Sequence, residues 1–211
     1  VSNGELLQLG IDRLGISLDA DTQEKLLAYL AMLNKWNKVY NLTAIRDPKQ
    51  MVSNHLLDSI AIIPHLWSGR WLDVGSGAGL PGMVMAISKP DWQIDLLDSN
   101  SKKTSFVQQA IIELGLQNVS VHCARVEGWQ PKHKFDGIVS RAFTELGNFL
   151  SLTQHLIATH GRWAAMKGVP ESELAGMPTN CQVDQVISLQ VPDLQAARSL
   201  VIASCTGSRE T

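Results

Sequence analysis

Trp71-Leu72-Asp73-Val74-Gly75-Ser76-Gly77-Ala78-Gly79-Leu80-Pro81-Gly82 reads as an apolar strand that ends in an acid and turns through glycines at every second position. Such glycines let the backbone take positive φ and approach a ligand without Cβ clashes, and the helix opening at Leu80 turns its first N–H groups toward the same pocket. One helix later, Gln93-Ile94-Asp95-Leu96-Leu97-Asp98 is a second strand ending in a carboxylate, 25 positions beyond Asp73. That is the spacing of a βαβ unit whose second acid holds a ribose diol.

Two cofactor classes use this geometry. Gly77-x-Gly79-x-x-Gly82 fits the dinucleotide fingerprint, but a pyrophosphate at the turn would be repelled by an acid two residues before the first glycine. S-adenosylmethionine carries no phosphate, and its ammonium and sulfonium would be attracted by Asp73. The bland alternative is a glycine-rich turn with no ligand.

From Trp71 onward strands and helices alternate, the pattern of a parallel sheet with helices on both faces. Asn100 or Ser101 caps a helix with Phe106, Val107, Ala110, Ile111 and Leu114 on one face, stopped by Gly115. Val119–Cys123 and Phe135–Ser140 are the third and fourth strands. A helix burying Leu146, Phe149, Leu150, Leu156 and Ile157 then runs to Gly161, and Arg162–Lys167 is the fifth strand. Val183–Leu189 and Ser199–Ala203 supply two more, closing a sheet of seven. The first 66 or so residues read as helical: Asp21-x-x-Glu24 resembles a capping box before Leu26, Leu30, Leu33 and Trp36, and a second helix carries Met51, His55, Leu56, Ile60 and Ile63 to Pro64. The expected organisation is a helical extension over 1–66 and an α/β domain over 67–211.

With 211 residues, 45% of them hydrophobic, the chain can bury one sizeable core. A net charge of −2 gives no global basic field, so contact with a polyanion must rest on a local patch. Cys123, Cys181 and Cys205 show no metal-ligand spacing, and their odd count argues against a disulfide framework, so a reducing, cytosolic setting fits best. No secretion signal and no apolar run long enough to span a membrane is visible.

Taken together, Lys35-Trp36-Asn37-Lys38-x-Tyr40-Asn41-Leu42-Thr43, His55-Leu56-Leu57-Asp58-Ser59, the glycine turn and Ser140-Arg141-Ala142 closely resemble the glucose-inhibited division protein B family. Its members are bacterial 16S rRNA (guanine-N7)-methyltransferases acting on guanine 527 of the small-subunit RNA, and the resemblance covers essentially the whole chain. It implies a Rossmann-like class I methyltransferase with a seven-stranded sheet, an S-adenosylmethionine cofactor, and 16S rRNA or the small ribosomal subunit as cytoplasmic partner. It also implies cofactor contacts from Gly75, Leu80, Val126, Glu127 and Arg141. To these the reading of the residues adds Asp73, Gly77, Gly79 and Asp98. Members commonly carry a basic residue where this chain has Asn54, and Thr and Pro where it has Ser76 and Ala78.

Guanine N7 carries an in-plane lone pair and no proton, so its methylation calls for alignment rather than a general base. No Ser/His/Asp set, Cys/His set or metal cluster is evident, and no catalytic base is named. His55 and Asp58, three apart on a helix, read as an interaction joining the extension to the main domain, with RNA contact as the alternative. Lys102, Lys103, Arg125 and Lys167 are the candidate RNA-binding residues, each a plain surface charge when taken singly. A class I methyltransferase for another RNA or a small molecule, and a nucleotide-binding module without transfer chemistry, are the competing readings.

Overall fold

The computed structural model describes residues 1–171 and 173–207, so the last four residues of the expected α/β domain lie outside the described residues. Seven strands form: β1 (Arg70–Val74), β2 (Gln93–Asp98), β3 (Val119–Cys123), β4 (Phe135–Arg141), β5 (Ile157–Lys167), β6 (Cys181–Leu189) and β7 (Arg198–Cys205). They make one sheet in the order β3-β2-β1-β4-β5-β7-β6. β1 to β5 are parallel, and β7 runs antiparallel to both of its neighbours. The order reverses at β1, whose neighbours are β2 on one side and β4 on the other. In open parallel sheets a ligand crevice forms outside the carboxyl ends of the strands at such a switch point.

Side chains alternate across each strand, so the sheet feeds two cores. Trp71, Ile94 and Leu96 face the helices α5 (Gly82–Ser88) and α6 (Ser101–Glu113). Leu72, Val74 and Ile138 face α7 (Leu146–Thr153). The first core also takes Leu7 of α1 (Asn3–Leu14), Leu26 and Leu33 of α2 (Ala20–Tyr40), and Leu56, so apolar packing is continuous across residue 66. A further helical stretch comprises α3 (Pro48–Met51), a π-helical segment Val52–Leu57 and α4 (Asp58–Ile60). In the π turn the Asp58 N–H reaches back five residues to the Ser53 carbonyl.

Three local expectations are corrected. α2 is capped by Asp19, whose carboxylate accepts from the Thr22 N–H at 2.8 Å, so Asp21 and Glu24 lie inside the helix rather than forming its box. α7 ends at Thr153, and β5 begins at Ile157 with Gly161 inside it rather than past a helix end. Leu156 and Ile157 suit either element, and Gly161 marks where the β4–β5 register shifts: a Cβ there would lie 2.7 Å from the Phe135 carbonyl. Cys181 and Cys205 are register partners across β6 and β7 and form a disulfide, leaving Cys123 free. Antiparallel pairing, invisible in their spacing, brings them together. Asn100 caps α6 as expected, accepting from Lys103 N–H at 3.1 Å.

Candidate active site

Gly75 and Gly77 take φ of +67° and +56°, which only glycine adopts readily. A Cβ on Gly75 would lie 2.6 Å from the Phe143 ring, whereas one on Gly77 would meet nothing, because that face of the turn opens on a cleft. The turn is tied to the end of β2: the N–H groups of Gly75 and Ser76 both donate to the Leu97 carbonyl, at 2.8 and 3.2 Å. Gly77 N–H donates to Asp98 Oδ2 and Asn100 N–H to Asp98 Oδ1, each at 2.8 Å. A carboxylate has about four acceptor directions, so Asp98 keeps capacity for two hydroxyl donors. The cleft holds about 330 Å³, with Asp98, Lys103, Arg125, Val126 and Glu127 among its walls.

A second cavity of about 210 Å³ adjoins the first and shares Gly75, Gly77, Lys103 and Ala142 with it. Its other walls include Thr43, His55, Ser76, Leu80 and Arg141. Arg141, at the end of β4, donates through Nη1 to the Asn54 carbonyl at 2.9 Å and to Asp58 Oδ2 at 3.2 Å. Its Nη2 lies 3.4 Å from His55 Nδ1, and His55 Nε2 lies 3.0 Å from Thr43 Oγ1. Burial, with the Arg141 charge beside it, lowers the His55 pKa to about 4, so the ring is neutral at pH 7. Facing a guanidinium, Nδ1 must accept; Nε2 therefore carries the proton and donates to Thr43. From α2, the buried Tyr29 hydroxyl donates to the Ala78 carbonyl at 2.7 Å, pinning the far side of the glycine turn.

Residues 22–201 match the family model described as rRNA small subunit methyltransferase G, GidB. A protein of that name from Laribacter hongkongensis is 52% identical over 198 residues, covering 93% of this chain and 96% of its own. Another from Pseudomonas aeruginosa strain UCBPP-PA14 is 54% identical over 202 residues, covering 95% and 94%. The chain belongs to the rRNA small subunit methyltransferase G family. In fold it is similar to the crystal structure of the N-methyltransferase NodS from Bradyrhizobium japonicum in complex with S-adenosylhomocysteine, with TM-score 0.59, 10% identity, and 82% of this chain and all of that one covered. An S-adenosylmethionine-dependent methyltransferase from Aquifex aeolicus gives TM-score 0.57 at 18% identity, covering 77% and 96%. The Rossmann-like methyltransferase fold expected from the sequence is the fold observed.

Within this member of the methyltransferase G family, Gly75, Gly77, Asp98, Val126 and Glu127 line the larger cavity, and Leu80 and Arg141 the smaller. Gly79 and Asp73 line neither. Asp73 points across the sheet toward α5, fully buried, where Oδ2 accepts from Gly82 N–H at 2.7 Å and Oδ1 has no partner. Burial raises its pKa well above the usual carboxylate range. Asp73 closes the turn by holding Gly82 N–H and faces neither cavity, so its charge does not bear on which cofactor binds. Lys102 and Arg125 are exposed, Arg125 lines the larger cavity and Lys103 lines both. Lys167 is committed elsewhere, to Glu173 at 2.8 Å and the Thr144 carbonyl at 2.6 Å. His55 and Asp58 both meet Arg141, at the end of β4, rather than bonding each other. Sequence reasoning missed Arg198, whose Nε donates to Asp58 Oδ1 at 3.0 Å, and Thr43, quoted there only as part of a motif.

Proposed function

We propose that the chain transfers a methyl group from S-adenosylmethionine to N7 of guanine 527 in 16S rRNA, acting in the cytoplasm on the RNA or the small subunit. The observation that carries this reading is the glycine turn closed on Asp98 beneath a cleft, in a chain of the methyltransferase G family. The residues fit the cofactor. Asp98 has two free acceptor directions for a ribose diol, Gly77 leaves room against the turn, and Val126 and Glu127 border the same cleft. Bound there, the cofactor supplies an electrophilic methyl group.

Because guanine N7 has no proton to lose, the protein's work is to bind, orient and exclude water. His55 suits that role: its two nitrogens are engaged by Arg141 and Thr43, so it stands as a strut rather than as a base. Residues 1–66 serve as the extension that covers the methyltransferase domain over 67–211, bringing Thr43 and His55 to the glycine turn. Lys102, Lys103 and Arg125 form the local basic rim that a chain of net charge −2 requires for RNA.

Calorimetry with S-adenosylhomocysteine and with NAD tests the cofactor, and tighter binding of NAD would sink the proposal. Mass mapping of 16S rRNA from cells with and without the protein tests the substrate: one guanine should lose a methyl group when the protein is absent.

A further inference from the structure

Two long stretches, 25–46 and 99–112, contain no Asp or Glu, in a chain with 20 acids against 18 lysines and arginines. The first carries Lys25, Lys35, Lys38 and Arg46, and the second Lys102 and Lys103. Lys25 is paired with Asp21, but the other five form no ion pair among the described residues. Trp36 joins the two stretches into one surface: its ring lies 5.5 Å from that of Phe106, which seats the C-terminal part of α2 against the N-terminal half of α6. Because Trp36 makes that contact, Tyr40, about one turn further on, is left facing water. At 45% it is the most exposed Phe, Tyr or Trp among the described residues, and its ring leans on Trp36 with centroids 5.4 Å apart. Leu42 and Thr43, which follow it, line the smaller cavity together with Lys103. An open aromatic ring thus stands among cations beside the cavity that adjoins the glycine turn.

We propose that Tyr40 is a stacking platform for an unpaired RNA base next to the methylated guanine, and that Lys35, Lys38, Arg46, Lys102 and Lys103 hold the phosphates around it. The proposal rests on the substrate reading above. N7 lies on the major-groove edge of guanine, and the major groove of an RNA helix is too deep and narrow for side chains to read. The guanine must therefore leave its stack before N7 can line up with a methyl group held in a cleft. Its neighbour in the chain then loses a stacking partner, and an exposed aromatic ring replaces it. Every base has a π-face, so such a ring takes any neighbour, while the lysines and the arginine meet phosphates and carry no sequence information. The surface accordingly selects unpaired RNA around the target guanine, whatever the neighbouring base.

The test is a cycle in protein and RNA. Fluorescence anisotropy on the full chain, with S-adenosylhomocysteine present, compares wild type, Tyr40→Ala and Tyr40→Phe. Each binds a hairpin RNA whose loop carries the target guanine, and two versions with an abasic residue on the 5′ or the 3′ side of that guanine. Tyr40→Ala should weaken the intact hairpin by about fivefold or more, the low end of what one base–aromatic stack contributes. Tyr40→Phe keeps the ring and should bind within about twofold of wild type. On one of the two abasic hairpins wild type and Tyr40→Ala should bind alike, because the platform has no base to hold. An equal loss by Tyr40→Ala on all three RNAs would make Tyr40 a structural residue and overturn the proposal. Wild-type affinity of Tyr40→Ala for the intact hairpin would overturn it too, as would failure of the wild type to bind that hairpin. The substrate reading itself falls on a different result, the mass mapping of cellular 16S rRNA showing no methyl group lost.

Discussion

Asp58 of α4 and Arg141 of β4 meet, with Asp58 fully buried and Nη1 of Arg141 3.2 Å from its Oδ2. Arg198 holds the other oxygen at 3.0 Å, so one carboxylate from α4 joins the ends of β4 and β7. The two arginine side chains are 22% and 28% exposed, which leaves water partial access to them. Removing the acid strands two partly buried cations. Asp58→Ala should cost about 3 kcal/mol or more, the low end of what breaking a buried pair costs, read as a lower urea midpoint at unchanged slope. A midpoint within experimental error of wild type would show that the carboxylate does not bind the halves together.

Acid should weaken the fold through His55. Its pKa is about 4 in the folded protein against 6.5 ordinarily, so the unfolded chain takes up the proton first as pH falls. The stability it contributes is complete above about pH 6.5 and is lost between there and pH 4, on the order of 3 kcal/mol in all. Asp73, with its pKa raised, works in the opposite sense and is protonated in the folded protein first. The difference between wild type and His55→Gln, followed by urea unfolding at pH 7.5, 6 and 5, isolates the histidine. Parallel curves for the two proteins would contradict this.

Tyr29→Phe removes the only difference that matters at that position, the donor to the Ala78 carbonyl. The ring still fills its place, while a buried acceptor loses its partner, at a cost of about 1–2 kcal/mol. Thermal unfolding should show a fall of a few degrees. No change would mean that the glycine turn keeps its shape without α2.

RNA affinity separates the basic residues. Reversing Lys102 and Arg125 to Glu should weaken binding and flatten its salt dependence, each lost phosphate contact reducing the slope of log K against log salt by about 0.7–0.9. Lys167→Met should leave that slope unchanged and lower stability instead, because its ammonium sits on Glu173 and the Thr144 carbonyl. Reversal of this order would move the RNA surface toward β5.

Local patterns carried the strands, the glycine turn and the cap at Asn100, since apolar runs and capping side chains act within a few residues. They did not reach the partners of Asp58, which lie 83 and 140 positions away and follow no periodicity. Asp73 was legible as a strand-end acid, but its direction is set by the alternation of β1, which sends it beneath α5 instead of out over the strand end. Lys167 looked like a rim charge until the segment after β5 supplied Glu173. The pairing of Cys181 with Cys205 likewise depends on how β6 folds back on β7. Asn54 contributes its backbone carbonyl to Arg141, an interaction any residue there could make.

The separation of 140 positions between Asp58 and Arg198 also sets a waiting time during synthesis. At roughly 5–20 residues per second, the segment bearing Asp58 is made about 7–28 s before the arginine that neutralises its second oxygen. For that interval Asp58 lacks the second of its two arginine partners, and this bond can form only once β7 has been made.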